Sequence, residues 1–171
     1  MAPRTALVLL APNADDALHE LRVRYFRNLE RRMPAHVTML FPFRSSVDDA
    51  TLNEITDVCA GLRPFDAMFS VVGRFRHAVV WLRPEPASGF ERMSDAVLAA
   101  FPDCNPYGGA HSGRTLHLTV ASRLRGTESA RLADEVGAML PIADHIDELT
   151  LMVEHGGGWR VELSWQLGAR S

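Results

Sequence analysis

Residues 36–39 read His-Val-Thr-Met and residues 117–120 read His-Leu-Thr-Val. In both stretches polar and apolar residues alternate, the pattern of a strand buried on one face. Side chains two apart on a strand share a face. Each motif therefore shows an imidazole and a hydroxyl on one side and sends its apolar pair into a core on the other. A single motif of this kind is commonplace. The pair is informative because of its setting: each copy is followed by a helix-opening signal and then by a Pro-led strand pair, at Ser46 and Pro64 and again at Thr127 and Pro141. The step from His36 to His117 equals the step from Ser46 to Thr127 and lies within a few residues of that from Pro64 to Pro141. Matched order at near-constant offset predicts an internal repeat, over roughly 34–83 and 115–167, and hence two similar lobes related by an approximate two-fold axis.

Working outward, Thr5 to Leu10 (TALVLL) reads as a buried strand closed by Ala11-Pro12-Asn13. Leu18, Leu21, Tyr25 and Leu29 follow at helical spacing, with Asn13 and Asp15 as caps and Pro34 as the stop; Arg22, Arg24, Arg27, Arg31 and Arg32 are expected on the other, solvated faces. Ser46 with Asp49, or Ser45 with Asp48, opens a second helix bearing Val47, Ile55, Val58, Cys59 and Leu62. Phe65 to Val72 and Ala78 to Leu82 form a hairpin around residues 73–77. Ser88 with Glu91 is a capping box for the helix of Phe90, Met93, Val97 and Ala100. Pro102 to Arg114, rich in Pro, Gly, Asn and Ser, is long enough to cover a site. Leu116 to Ala121 is a strand, Thr127 caps the helix of Leu132, Val136 and Leu140, and Ile146–Val153 with Trp159–Leu167 makes a second hairpin around Gly156-Gly157-Gly158. The sum is one α+β domain, residues 1–171, dominated by antiparallel sheet.

Composition narrows the chemistry. The 171 residues are 47% apolar and 23% charged, as in a soluble globular domain. All 18 basic residues are arginine, which excludes mechanisms built on a lysine ammonium or its free amine: phosphate-loop ATPases, Schiff-base enzymes and ligases that adenylylate a lysine. A formal charge of −3 argues against coating long nucleic acid, which requires a net basic face. Cys59 and Cys104 fit no metal spacing, neither His-x-Thr motif supplies the carboxylate or third ligand of a catalytic metal site, and no His-x-His or His-Glu-x-x-His spacing occurs, so no metal is expected; no cofactor is expected either, and a reducing compartment is the default. No secretory signal or membrane-spanning run is evident, so a cytoplasmic protein without membrane association is expected.

Two opposed His-x-Thr faces suit a phosphodiester. One neutral imidazole can deprotonate an attacking oxygen while the other, protonated, gives a proton to the leaving oxygen. Thr38 and Thr119 can hold the non-bridging oxygens as charge builds on them. Either histidine can fill either role. In the Pro102–Arg114 stretch, Tyr107 can stack on a base and His111 can orient a base or ribose; Phe41 and Phe43 either stack on substrate or belong to the core, with at least one of them in the core. Trp81, Trp159 and Trp165 lie in apolar strand runs where packing is expected, and among the hairpin arginines Arg74, Arg76 and Arg83 nothing selects one for the cleft.

The paired motifs resemble the 2H phosphoesterase superfamily, in particular its 2′-5′ RNA ligase-like branch, over most of the chain. The resemblance implies a bilobal α+β fold: two pseudo-two-fold-related lobes, antiparallel sheets lining a central cleft, helices outside. It implies His36 and His117 as the acid–base pair, Thr38 and Thr119 as phosphate ligands, and Arg123, in the stretch HLTVASR, as a basic substrate-binding residue. The activity it implies is metal-independent hydrolysis of a 2′,3′-cyclic phosphate on a small nucleotide or RNA 3′ end. A non-catalytic binder of phosphorylated nucleotide or RNA ends and a 2′-5′ end-joining enzyme are the alternatives. Phe41-Pro42-Phe43 stands where better-known members often have an aromatic-leucine-glycine turn. Base preference and oligomeric state are left open.

Overall fold

In a computed structural model, residues 3–26, 32–76, 78–104 and 115–169 are described. Tyr107 and His111 lie outside them. The elements run β1 (Thr5–Leu10), α1 (Pro12–Tyr25), β2 (His36–Leu40), α2 (Asp49–Ala60), β3 (Phe65–Phe75), β4 (Val79–Glu85), α3 (Ser88–Ala100), β5 (Leu118–Ser122), α4 (Glu128–Gly137), β6 (Ile142–Ile146), β7 (Glu148–His155) and β8 (Gly158–Gln166). The strands form one curled antiparallel sheet in the order β6-β3-β4-β5-β2-β1-β7-β8. The fold is α+β, and its two lobes meet where β2 pairs β5, with four strands to each side. Each half-sheet mixes early and late chain: β3 and β4 lie beside β5, whereas β2 sits with β1, β7 and β8. Ile142–Ile146 is a strand in its own right, pairing β3 ahead of the β7–β8 hairpin.

Alternation along the strands separates two faces. Leu7 and Leu9 of β1, Val37 and Met39 of β2, Leu82 of β4, and Leu118 and Val120 of β5 are buried in one large core, with Leu18, Ile55, Phe90, Met93, Val97, Leu132 and Val136 from all four helices. Phe90 is fully buried and meets Phe65 edge-on at 5.0 Å; removing such a ring costs about 3–5 kcal/mol. Ala6, Val8 and Met152, from the alternate positions, form a small second cluster with Leu10, Met33, Phe41 and Trp159. At the outer edge, β8 carries Arg160 and Glu162 and a register shift against β7, features that discourage pairing with another strand.

The helix starts differ from the expected caps. Asp48 caps α2, accepting from the Thr51 N–H at 2.9 Å. The start of α1 is capped from across the fold: buried Asp144 of β6 accepts from the Ala14 N–H at 2.9 Å, and Asn13 donates to the Ala143 carbonyl. Neither Ser88 nor Thr127 makes a side-chain cap; Ser88 is already the first residue of α3. Arg22, expected in solvent, is only 3% exposed, because four residues past Leu18 it falls on the buried stripe of α1. Among the described residues no helix is long and apolar enough to cross a membrane.

Candidate active site

Both motifs lie where the half-sheets join. β2 is half-buried at His36 and Thr38 and buried at Val37 and Met39; β5 is buried at Leu118 and Val120 and half-buried at Thr119, with His117 half-buried just before it. The strands are in register at Val37↔Leu118. One residue to either side, that register sets His36 opposite Thr119 and Thr38 opposite His117. The four side chains thus form a crossed square on the face away from the main core, the histidines on a diagonal that regular antiparallel geometry makes about 7–8 Å.

The two imidazoles are held alike. Nδ1 of His36 lies 2.7 Å from the Pro34 carbonyl and Nδ1 of His117 lies 2.6 Å from the Thr115 carbonyl. A carbonyl can only accept, so Nδ1–H donates in each case, and the neutral ring carries its free lone pair on Nε2. Burial lowers both pKa values. His36 is brought down to about 4, by burial first, with the positive charges of Arg22 and His117 adding to the effect and the Pro34 hydrogen bond and Asp15 opposing it. His117 is also lowered, by burial, against its bond to Thr115. The charge on His117 reaches His36 because the register sets both rings on one face of adjoining strands.

Their surroundings differ. His117 meets Phe75 edge-on at 5.1 Å and Trp81 at 5.9 Å, and those two rings stack on each other at 4.8 Å. Trp81 lies across Gly73 so closely that a Cβ there would come 2.1 Å from the indole, so only glycine fits beneath it. The register Leu82↔Leu118, carried one step on, puts Arg83 across from His117. Arg83 is exposed and donates to Glu85 at 2.7 Å. On the other side, β1 sets Val8 opposite Thr38 and Leu10 opposite His36, so the second apolar cluster, with Phe41 and Trp159, continues the face that bears His36. Arg4 lies over both of those rings, at 6.0 and 5.9 Å.

Of the residues picked from the sequence, the fold brings together His36, Thr38, His117 and Thr119, with Phe41 nearby in the apolar cluster. Phe43 is core, packed edge-on against Phe101 at 5.0 Å. Arg123 lies just beyond the end of β5, exposed, with φ of 62°. Phase along β4 alone would have placed Trp81 and Arg83 on one face, but which strand that face adjoins depends on pairing. Among the described residues no group of three or more His, Cys, Asp or Glu is placed to hold a metal ion.

A fold of this order with paired His-x-Thr strands at its centre defines a class, and comparison agrees. The family model of the 2′-5′ RNA ligase superfamily matches residues 10–158, and the chain belongs to that superfamily of 2H phosphoesterases. No curated protein matches the chain. Among solved structures, TT0787 of Thermus thermophilus is similar with a TM-score of 0.65 and 17% identity over 98% of this chain and 100% of that one. E. coli LigT in its apo form is similar with a TM-score of 0.62 and 17% identity over 98% of this chain and 99% of LigT. LigT complexed with 3′-AMP is similar with a TM-score of 0.58 and 17% identity over 96% of this chain and 98% of LigT. LigT has also been solved with phosphate, NADP+ and ATP.

Proposed function

We propose that this chain is a metal-independent phosphodiesterase that opens a 2′,3′-cyclic phosphate on a small nucleotide or RNA 3′ end, in the cytoplasm, by two-histidine acid–base catalysis. The observation that carries the reading is the crossed square with both Nδ1 atoms committed to backbone carbonyls, which leaves two Nε2 atoms free to exchange protons with one bound group. A neutral imidazole accepts the proton of a water whose oxygen attacks phosphorus. The other imidazole, protonated, gives its proton to the ribose oxygen as the P–O bond breaks. The products are a phosphomonoester and a free hydroxyl, and the two histidines have exchanged protonation states. Thr38 and Thr119 donate hydrogen bonds to the non-bridging oxygens, and the apolar cluster around Phe41 offers a base a surface to lie on. E. coli LigT's solved complexes with phosphate and adenine nucleotides favour ligands of this size and chemistry.

The test is hydrolysis of the four nucleoside 2′,3′-cyclic monophosphates in EDTA, beside His36→Ala and His117→Ala. Turnover in the parent that is lost in both variants is the expected result. Strong inhibition by EDTA sinks the metal-free scheme, and saturable binding without product transfers the site to a binder of phosphorylated ends.

A further inference from the structure

The square is symmetric in its residues but not in what stands behind them. Buried Arg22 and half-buried Asp15, both of α1, form an ion pair directly behind the start of β2. Arg22 also donates to the Met33 carbonyl at 2.7 Å, and Asp15 accepts from the Ala35 N–H at 2.7 Å. Between those two anchors is Pro34, whose carbonyl holds the His36 Nδ1–H. The segment 33–35 is thus pinned at both ends to one pair of side chains, and the residue between the two anchors sets the tautomer of His36. We propose that Asp15 and Arg22 are a positioning pair for His36: they fix the segment that orients its ring and keep a buried positive charge behind it, so that His36 is the proton acceptor and His117 the donor.

Charge supports the assignment. The largest ionic influences on His36 come from Arg22 and Asp15 of α1 and from His117 at the head of β5. The buried face of α3, the other helix against β2, is Gly89, Phe90, Met93, Ser94 and Val97, none of them ionisable. A cation behind an imidazole opposes a second positive charge on it. His117 has apolar rings at that position instead, and its pKa is lowered by burial alone. The proton is therefore held more readily on His117. This inference rests on the phosphodiesterase reading for its catalytic meaning, but not for its proton placement, so the two can fail separately.

The experiment is a titration of the imidazole nitrogens and carbons of His36 and His117 by NMR in 15N-labelled protein, for the parent, Arg22→Met, Arg22→Lys and Asp15→Asn. In the parent His36 should titrate well below 6.5, at about 4. Arg22→Met removes the cation and should move His36 up by about one pH unit. Arg22→Lys keeps the charge and should hold it near the parent position. Asp15→Asn removes the opposing anion while an amide oxygen still accepts from Ala35, and should leave His36 no higher than in the parent. His117 should stay in place throughout. Simple loosening of the loop would instead raise His36 in both Arg22→Met and Asp15→Asn, and that result overturns the proposal, as does His117 moving in step or His36 staying put in Arg22→Met. Should Arg22→Met fail to fold, Asp15→Asn with Arg22→Lys still separates charge from loosening. With a cyclic phosphate, the acid limb of kcat/KM in Arg22→Met should follow His36 upward while the alkaline limb stays; absence of turnover in every form refutes the phosphodiesterase reading and leaves the titration to decide this one.

Discussion

The half-sheet that carries His36 and the half-sheet that carries His117 solve the same problem with different materials. Each ring is pinned through Nδ1 to the carbonyl two residues before it, and each faces the other motif's threonine across the β2–β5 junction. Behind His36 stands an ion pair, Asp15 with Arg22; around His117 stand Phe75 and Trp81. Both environments favour the neutral ring, one through burial reinforced by charge and the other through burial alone. A near-symmetric frame thereby surrounds its two histidines with unlike materials, charge behind one and aromatic rings around the other.

The comparison can be broken most severely at the histidines. His36→Ala and His117→Ala should each reduce kcat on a 2′,3′-cyclic phosphate by about 10³–10⁴-fold, measured as phosphomonoester formed per unit time. Against a nucleotide phosphodiester with a p-nitrophenolate leaving group, which departs without a proton, His117→Ala should lose far less than His36→Ala; equal losses would mean the roles are not divided as proposed. Next in size, Thr38→Ala and Thr119→Ala should each cost about 10²-fold in kcat with KM little changed, because the hydroxyls act as charge builds on the phosphoryl oxygens.

Smaller changes sharpen the contrast. With His36 as base and His117 as acid, kcat/KM should fall as pH drops through about 4, where His36 gains a proton, and again as pH rises through the His117 value, which lies below its ordinary 6.5. Trp81→Ala admits water to His117 and should move the alkaline limb upward, toward 6.5, with the acid limb unmoved. Gly73→Ala, whose methyl would displace the same indole, should do likewise. The smallest effect is expected at Arg83→Ala, a rise in KM of about tenfold or less with kcat nearly unchanged, since this arginine is exposed and shared with Glu85. Isothermal binding of a nucleoside 3′-phosphate would check it independently of turnover.

Much of the site is legible from local pattern. Period-two alternation puts His36 with Thr38 and His117 with Thr119 on shared faces, and the recurrence of that motif ahead of a helix and a strand pair indicates two lobes. Where local pattern falls short, a non-local contact is responsible. Asp144 caps α1 from 130 residues away in sequence, beyond the reach of the local signals at Asn13 and Asp15, and Asp15 is committed instead to Arg22 and Ala35. Arginine is ordinarily solvated, so Arg22 reads as a surface residue, yet its spacing from Leu18 already marks the buried stripe. Trp81 reads as a packing residue, and it is; that it packs, together with Phe75, on the ring of His117 follows only from β4 lying next to β5.

The residue pattern decided which side chains share a face, because the direction of a strand side chain is set by its own backbone and repeats every second residue. It decided too that the chain has the chemical means for proton transfer and nothing for lysine-based chemistry. Tertiary structure decided which faces meet. The crossed register of β2 on β5, the insertion of β3 and β4 beside β5, and the placing of a buried arginine with its aspartate behind one histidine but not the other are outcomes of packing between segments far apart in the chain, and no period within a single strand or helix encodes them.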